Sequence, residues 1–156
     1  MAITLVRATP ADAGVLARMV KALTDEIIAR TGAPHFDLDL DTLTAQAAAL
    51  IADGTYTVLL ARDPEPVGFA ALCESAALYA GGRFGIVQEF YVAPDHRSSG
   101  VGKALLDAAA AHGRAQDWTR LELCTPPLPE FDRALAFYER EGFEITGGRK
   151  MKRSLR

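Results

Sequence analysis

The segment Arg97-Ser98-Ser99-Gly100-Val101-Gly102 constrains this chain more than any other. It follows an apolar run, Phe84 to Val92, that reads as a strand, and it opens directly into a helical pattern starting near Val101. A strand, a glycine-containing loop and a helix N-terminus leave backbone N–H groups without intrahelical acceptors. Those amides and the helix dipole together favour an anion such as a phosphate. Glycine at 100 and 102 permits positive φ and lets a bulky diphosphate approach the backbone closely.

Three glycine-rich phosphate motifs compete for this stretch, and two fail. A Walker loop needs glycine five residues before the Gly102-Lys103 pair and Ser or Thr after the lysine, where this chain has Arg97 and Ala104. A dinucleotide fingerprint built on Gly100 and Gly102 needs a third small residue where Leu105 stands. Arg-x-x-Gly-x-Gly between a strand and a helix survives. The longer stretch Gln88-Glu89-Phe90-Tyr91-Val92-Ala93-Pro94-Asp95-His96-Arg97-Ser98-Ser99-Gly100-Val101-Gly102-Lys103-Ala104-Leu105-Leu106 resembles the acetyl-coenzyme A-binding motif of the GNAT superfamily of N-acetyltransferases. Arg133-Ala134-Leu135-Ala136-Phe137-Tyr138-Glu139-Arg140-Glu141-Gly142-Phe143 resembles that family's later helix, its glycine stop and the start of the next strand. Val6-Arg7-Ala8-Thr9-Pro10-Ala11-Asp12 is similar to its opening strand and first helix, so the resemblance covers essentially the whole chain.

The resemblance implies one N-acetyltransferase domain over residues 1–156, with acetyl-CoA as co-substrate. It implies cofactor binding by Phe90, Tyr91 and Val92 on the strand and by Arg97, Ser98, Ser99, Gly100, Val101, Gly102 and Lys103 in the loop and first helical turn. Two positions depart from the family pattern. Phe131 stands where relatives often place an asparagine near the pantetheine arm, and it cannot make that hydrogen bond. Ser98 replaces a glycine common in the loop but keeps its N–H.

Length and composition agree with this class. A chain of 156 residues, 49% apolar and 24% charged, fits one domain with a real core. A formal net charge of −3 gives no nonspecific attraction to nucleic acid. The basic stretch Arg149-Lys150-Met151-Lys152-Arg153 reads as a terminal strand with solvated charges, with a nucleic-acid partner as the weaker alternative. Cys73 and Cys124 lie far apart in apolar runs and match no zinc or redox pattern, so two buried, reduced thiols are expected. No secretory signal is visible, and no apolar run approaches the ~20 residues that span a bilayer. A cytoplasmic chain without membrane contact is the expectation.

Periodicity gives the order β-α-α-β-β-β-α-β-α-β, with one further strand optional at the end. Ile3–Val6 is a strand, Thr9 an N-cap with Pro10 at the first helical position, and helical spacing then runs to near Arg30. A second helix is expected over Thr42–Ala52, strands over Thr55–Arg62 and Val67–Ala77, and the central strand over Phe84–Val92. Arg120–Cys124 reads as a strand, Phe131–Glu141 as a helix ended by Gly142, and Phe143 to about Leu155 as one or two last strands. The fold class is α/β: a mixed sheet flanked by helices. His35-Phe36-Asp37-Leu38-Asp39-Leu40-Asp41 fails as a calcium loop, because Thr42 and Ala48 stand where glycine and the closing glutamate belong. No metal site is expected.

Acetyl transfer to an amine requires a neutral amine, a stabilised carbonyl oxygen and a protonated leaving thiol. Glu89, a lone carboxylate within the apolar central strand, is the candidate base, acting directly or through water; its alternative is a structural partner of an arginine or of sheet-edge amides. Gln88 is expected on the opposite face and cannot titrate. By resemblance Tyr138 is the acid that protonates the departing thiolate, and its alternative is a core aromatic whose hydroxyl finds a partner. The expected function is transfer of an acetyl group from acetyl-CoA to a primary amine of a small molecule or peptide, by direct attack in a ternary complex. The alternative is a non-catalytic acyl-CoA-binding sensor or interaction module. The resemblance also admits a homodimer.

Overall fold

The computed structural model describes residues 2–32 and 39–156. The calcium-loop candidate therefore lies outside the described residues from His35 to Leu38. Strand β1 (Thr4–Arg7) is followed by a short 3-10 turn over Pro10–Asp12 and by α1 (Ala13–Thr31). The expected start at Thr9 is confirmed by a capping box, in which the Thr9 N–H donates to Asp12 Oδ2 over 2.8 Å. Helix α1 stops at Gly32, whose φ of 70° lets its N–H reach the Ile28 carbonyl.

Helix α2 (Leu40–Ala52) begins two residues earlier than the periodicity indicated, because the Asp39 carboxylate caps it by accepting from the Thr42 N–H at 2.9 Å. Strand β2 (Thr57–Arg62) begins later than expected. The Thr55 N–H is taken by Asp53 Oδ1 and the Tyr56 N–H by the Leu50 carbonyl, so the ladder opens only at Thr57. Strands β3 (Pro66–Ala77) and β4 (Gly82–Val92) form a long hairpin, and α3 (Val101–Ala115), β5 (Leu121–Glu122) and α4 (Asp132–Arg140) complete the described elements.

The five strands lie in chain order, β1-β2-β3-β4-β5. The first three pairings are antiparallel and β4–β5 is parallel, so the sheet is mixed as expected. Both faces are covered. Leu60, Phe69, Ala71 and Tyr91 pack against Leu16, Met19 and Val20 of α1 and Ala47 of α2. Ala61, Ala70, Leu72, Val87 and Val92 pack against Val101, Leu105 and Ala109 of α3. Burial on both sides explains why β3 and β4 read as nearly continuous apolar runs.

Strand β4 carries a bulge that the alternation of its sequence does not reveal. Glu89 pairs with Ala71 and Val87 with Leu72, which leaves Gln88 as the extra residue. The inserted residue reverses the parity of the strand. Val87 faces α3, whereas Glu89 bonds Tyr56 and Tyr91 packs in the α1/α2 core.

Three expectations are corrected. Strand β5 is two residues long rather than five, pairing only Gly85 with Leu121 and Ile86 with Glu122, and the chain then runs into Pro126, Pro127 and Pro129, which have no N–H to give. The final strands do not form: residues 143–156 hold no helix or strand and are mostly exposed. A two-residue β5 offers almost no edge to extend, and Gly147, at φ 101°, precedes the like charges of Arg149, Lys150, Lys152 and Arg153. Cys124 is exposed rather than buried, because it follows the point where β5 leaves the sheet; Cys73 is half-buried.

Candidate active site

Strand β4 ends at Val92, and a 3-10 turn over Pro94–His96 leads into the loop singled out by the sequence. Ser98 and Gly100 both adopt left-handed backbone, with φ of 62° and 91°. Helix α3 starts at Val101, and its first intrahelical bond runs from the Ala104 N–H to the Gly100 carbonyl at 3.0 Å. The amides of Val101, Gly102 and Lys103 precede that bond and are the orphan donors of the helix. An alternation of left-handed residues ahead of such a turn is the geometry of an anion nest. The donor set fits a diphosphate: uncharged N–H groups at the positive end of a 15-residue helix.

The two glycines serve different ends. Gly100 supplies the positive φ, and a side chain there would meet open space. Gly102 is helical, and a Cβ on it would sit 2.9 Å from Phe137 Cζ, so it is the close seat of an α4 ring. Ser99 donates its hydroxyl to the His96 carbonyl, which ties the loop to the turn before it. The Lys103 ammonium is held by Asp107 at 3.0 Å and Glu141 at 3.5 Å. The Asp107 contact, followed by the field of both carboxylates, raises its pKa.

The Arg97 guanidinium is committed elsewhere. Its Nε donates to the Val92 carbonyl at 2.8 Å, and its Nη1 and Nη2 donate to the two Glu26 oxygens at 2.9 and 2.6 Å. Its plane lies 5.8 Å from the Tyr91 ring centre. Its own N–H goes to the Pro94 carbonyl at 3.3 Å. Arg97 thus struts the loop, and the nest proper begins at Ser98.

Of the strand residues named from the sequence, Tyr91 and Val92 bury their side chains in opposite cores, as Val101 does below the helix start. The Tyr91 carbonyl lies against Gly68 of β3 and the Val92 carbonyl accepts from Arg97, so what these residues could offer a cofactor is backbone, not side chain. Phe90 faces α4. Its ring packs edge-on to Tyr138 at 6.0 Å and stacks with Phe137 at 6.1 Å. Because β5 pairs only at Gly85 and Ile86, β4 from Val87 to Val92 has no strand neighbour on that side among the described residues. This free edge and the aromatic cluster of α4 lie beside the nest.

Tyr138 is 7% exposed and is further boxed by Phe143 at 5.9 Å. Burial pushes its phenol up to about 12. Among the described residues no group hydrogen-bonds its hydroxyl, and that oxygen is not sealed from solvent. Phe131 caps α4 and receives the Arg30 guanidinium 4.9 Å above its ring, a contact that an asparagine could not make.

Glu89 lies on the other face of the sheet, half-buried, and accepts a hydrogen bond from the Tyr56 hydroxyl at 2.7 Å. Its partner is a phenol, neither the arginine nor the sheet-edge amides weighed above. Burial, then the Glu89 bond, drives the Tyr56 phenol well above the ordinary tyrosine range. Gln88 is the unpaired residue of the bulge and is exposed, and its amide works against the burial of the Cys73 thiol on β3. Burial raises the Cys73 thiol, which disfavours its thiolate. Tyr56 was missed in the sequence because no local motif marks it; strand pairing alone brings it to a residue 33 positions away. It also lines a cavity of about 470 Å³ with Arg7, Thr9, Pro10 and Ile51.

Comparison with known proteins agrees with this fold. The family model for the acetyltransferase (GNAT) domain matches residues 53–145. An aminoglycoside N(6')-acetyltransferase type 1 from Stenotrophomonas maltophilia is 34% identical over 151 residues, which cover 92% of this chain and 87% of that protein. A ribosomal-protein-alanine N-acetyltransferase from Brucella melitensis biovar Abortus 2308 superposes with a TM-score of 0.73 at 27% identity, over 98% of this chain and 100% of that one. A predicted acetyltransferase from Clostridium acetobutylicum, solved with acetyl-CoA, shares the fold with a TM-score of 0.78 at 18% identity, over 97% and 96% of the two chains. The nest, the open β4 edge and these matches lead to one conclusion: the chain belongs to the GNAT acetyltransferase family.

Proposed function

We propose that this protein transfers the acetyl group of acetyl-CoA to a primary amine of a small molecule or peptide, by direct attack in a ternary complex. The observation that carries this is the placement of Glu89 and Tyr138 on opposite sides of β4, along an edge that no strand covers among the described residues and beside the nest at α3. Acetyl-CoA, when bound, supplies the acetyl thioester. Amides from Ser98 to Lys103 hold its diphosphate, and free backbone of β4 between Val87 and Val92 aligns its arm.

Glu89, or a water it holds, takes the proton of the incoming amine on the α1/α2 face. Tyr56 fixes the carboxylate for that task. On the other face Tyr138 points a neutral phenol at the leaving sulfur. Full proton transfer from about 12 to a thiol near ~8.5 is uphill by roughly 5 kcal/mol, so Tyr138 acts first as a hydrogen-bond donor and gives up its proton only as charge leaves on sulfur. The relatives acetylate, by their names, an aminoglycoside and the alanine of a ribosomal protein, which supports a small-molecule or peptide amine as acceptor.

A second reading, a non-catalytic acyl-CoA-binding module, draws on Glu89 being already engaged by Tyr56. The two separate in one assay. Thiol release from acetyl-CoA is followed across polyamines, aminoglycosides, amino acids and peptide N-termini, with mass detection of the acetylated amine. The transferase reading expects amine-dependent thiol release with matching product. Tight acetyl-CoA binding with no acetylated product from any acceptor overturns it in favour of the module.

A further inference from the structure

We infer that Glu26 of α1 is a positioning residue for the cofactor loop, holding the nest in its binding shape through Arg97; the inference rests on the acetyltransferase reading above. Glu26 lies 71 residues from Arg97 in the chain, yet its carboxylate takes the Arg97 fork with both oxygens, at 2.6 and 2.9 Å. The same carboxylate is ion-paired with Arg30 Nη2 at 3.0 Å, and Arg30 in turn covers the Phe131 ring at the start of α4. One acidic group therefore joins the helix on the Glu89 side of the sheet to both segments on the cofactor side.

The loop needs such a tether. Ser98 holds a left-handed conformation that disfavours any residue with a Cβ, and Gly100 holds another two residues on. A strained backbone persists only where its surroundings over-determine it. Here Arg97 supplies the constraint, pinned to the end of β4 through the Val92 carbonyl and to α1 through Glu26. A bidentate guanidinium–carboxylate pair fixes direction as well as distance. Glu26 is 19% exposed at its side chain, so the pair is partly shielded from solvent. The Arg97 bond, opposed by burial and aided by both arginines' charge, holds the Glu26 carboxyl below the usual carboxylate range and keeps it ionised at neutral pH.

A loop already in its bound shape spares acetyl-CoA the ordering penalty that a free loop would impose. The Glu26 carboxylate is spent on Arg97 and Arg30, so its loss should weaken cofactor binding and leave chemistry alone. A carboxylate that withheld Arg97 from the diphosphate would instead act as an inhibitory latch. The two differ in sign.

The test is Glu26→Gln, which keeps shape and removes the charge, with Glu26→Asp as the conservative variant and Arg97→Lys as an independent cut of the same fork. Wild type and variants are compared by calorimetric titration with acetyl-CoA, by steady-state kinetics and by hydrogen exchange. We expect the Kd and KM for acetyl-CoA to rise by about 10-fold in Glu26→Gln and Arg97→Lys, with kcat within about 3-fold, partial recovery in Glu26→Asp, and faster exchange at the amides of 98–103. Unchanged or tighter acetyl-CoA binding in a folded Glu26→Gln or Arg97→Lys, or a fall in kcat at constant KM, overturns the inference. Failure of wild type itself to bind acetyl-CoA is a different result, and it sinks the acetyltransferase reading on which this one rests.

Discussion

Gly102 at the start of α3 and Phe137 of α4 share one van der Waals space: a Cβ at 102 would lie 2.9 Å from Phe137 Cζ. Phe137 also stacks on Phe90 and leans on Tyr138 at 5.4 Å, so the glycine sets the depth of the aromatic wall of the groove. Gly102→Ala adds helix propensity worth about 1 kcal/mol but forces the ring outward, and overpacking of this kind costs about 1–3 kcal/mol. The expected net result is a loss of about 1 kcal/mol in stability with several-fold lower activity as Tyr138 is displaced. Urea unfolding and kcat/KM measure both; a variant more stable than wild type and fully active would refute the packing role.

Ser98 is the residue in the loop whose conformation works against its side chain. Its φ of 62° costs about 1–2 kcal/mol relative to glycine, less the greater entropy that glycine loses on folding. Ser98→Gly should raise stability by up to about 1 kcal/mol and leave acetyl-CoA affinity within about 2-fold, because the N–H is retained. Thermal melts and calorimetry check this. A clear loss of stability would mean that the serine hydroxyl holds the loop by a contact that outweighs the strain.

The Glu89–Tyr56 bond makes two substitutions diagnostic. Glu89→Gln should lower kcat by ~10²-fold, with little change in acetyl-CoA Kd, since the amide keeps the shape but cannot take a proton. Tyr56→Phe should lower kcat by less, roughly 10-fold, because it frees the carboxylate without removing it. Equal kcat and an overlaid pH–rate profile for Glu89→Gln would reduce Glu89 to a structural acceptor for Tyr56.

Tyr138 carries a prediction about alkaline pH. Burial raises its folded-state value to about 12 against ~10 unfolded, so its contribution to stability is fully present below pH ~10. It is lost as pH climbs from there towards 12. Melts between pH 9 and 11 should show wild type losing stability more steeply than Tyr138→Phe, and kcat should show no alkaline decline assignable to Tyr138 below about pH 10. The same variant should lose about 10²-fold in kcat while still binding acetyl-CoA. Near-normal turnover in Tyr138→Phe would return the residue to the core and leave water as the source of the thiolate's proton.

What was legible in the sequence was whatever is local. The apolar run into Gly100 locates the β4–α3 junction, and Thr9-Pro10-Ala11-Asp12 gives a cap that forms with the expected bond. Long-range relations were not legible. Nothing near Tyr56 points to Glu89, and nothing near Glu26 points to Arg97; both pairs exist only because sheet order and helix packing bring distant segments together. The bulge at Gln88 falls in the same class, since a strand apolar on both faces hides a change of parity. The last strands failed for the converse reason. Phe143 and Ile145 alternate as a strand would, but β5 is too short to pair with them.

The central claim is that the start of α3 holds the diphosphate of acetyl-CoA, and its most direct test is calorimetric titration of acetyl-CoA into wild type and Gly100→Pro. Proline at 100 removes one amide and fixes φ near −65°, which the observed +91° cannot accommodate, while position 100 is exposed and a Cβ there would meet open space. Wild type should bind one equivalent, and a folded Gly100→Pro should lose affinity by at least about 10-fold. Undiminished affinity in a Gly100→Pro variant whose circular dichroism and unfolding midpoint match wild type would contradict the account and place the cofactor elsewhere on the fold.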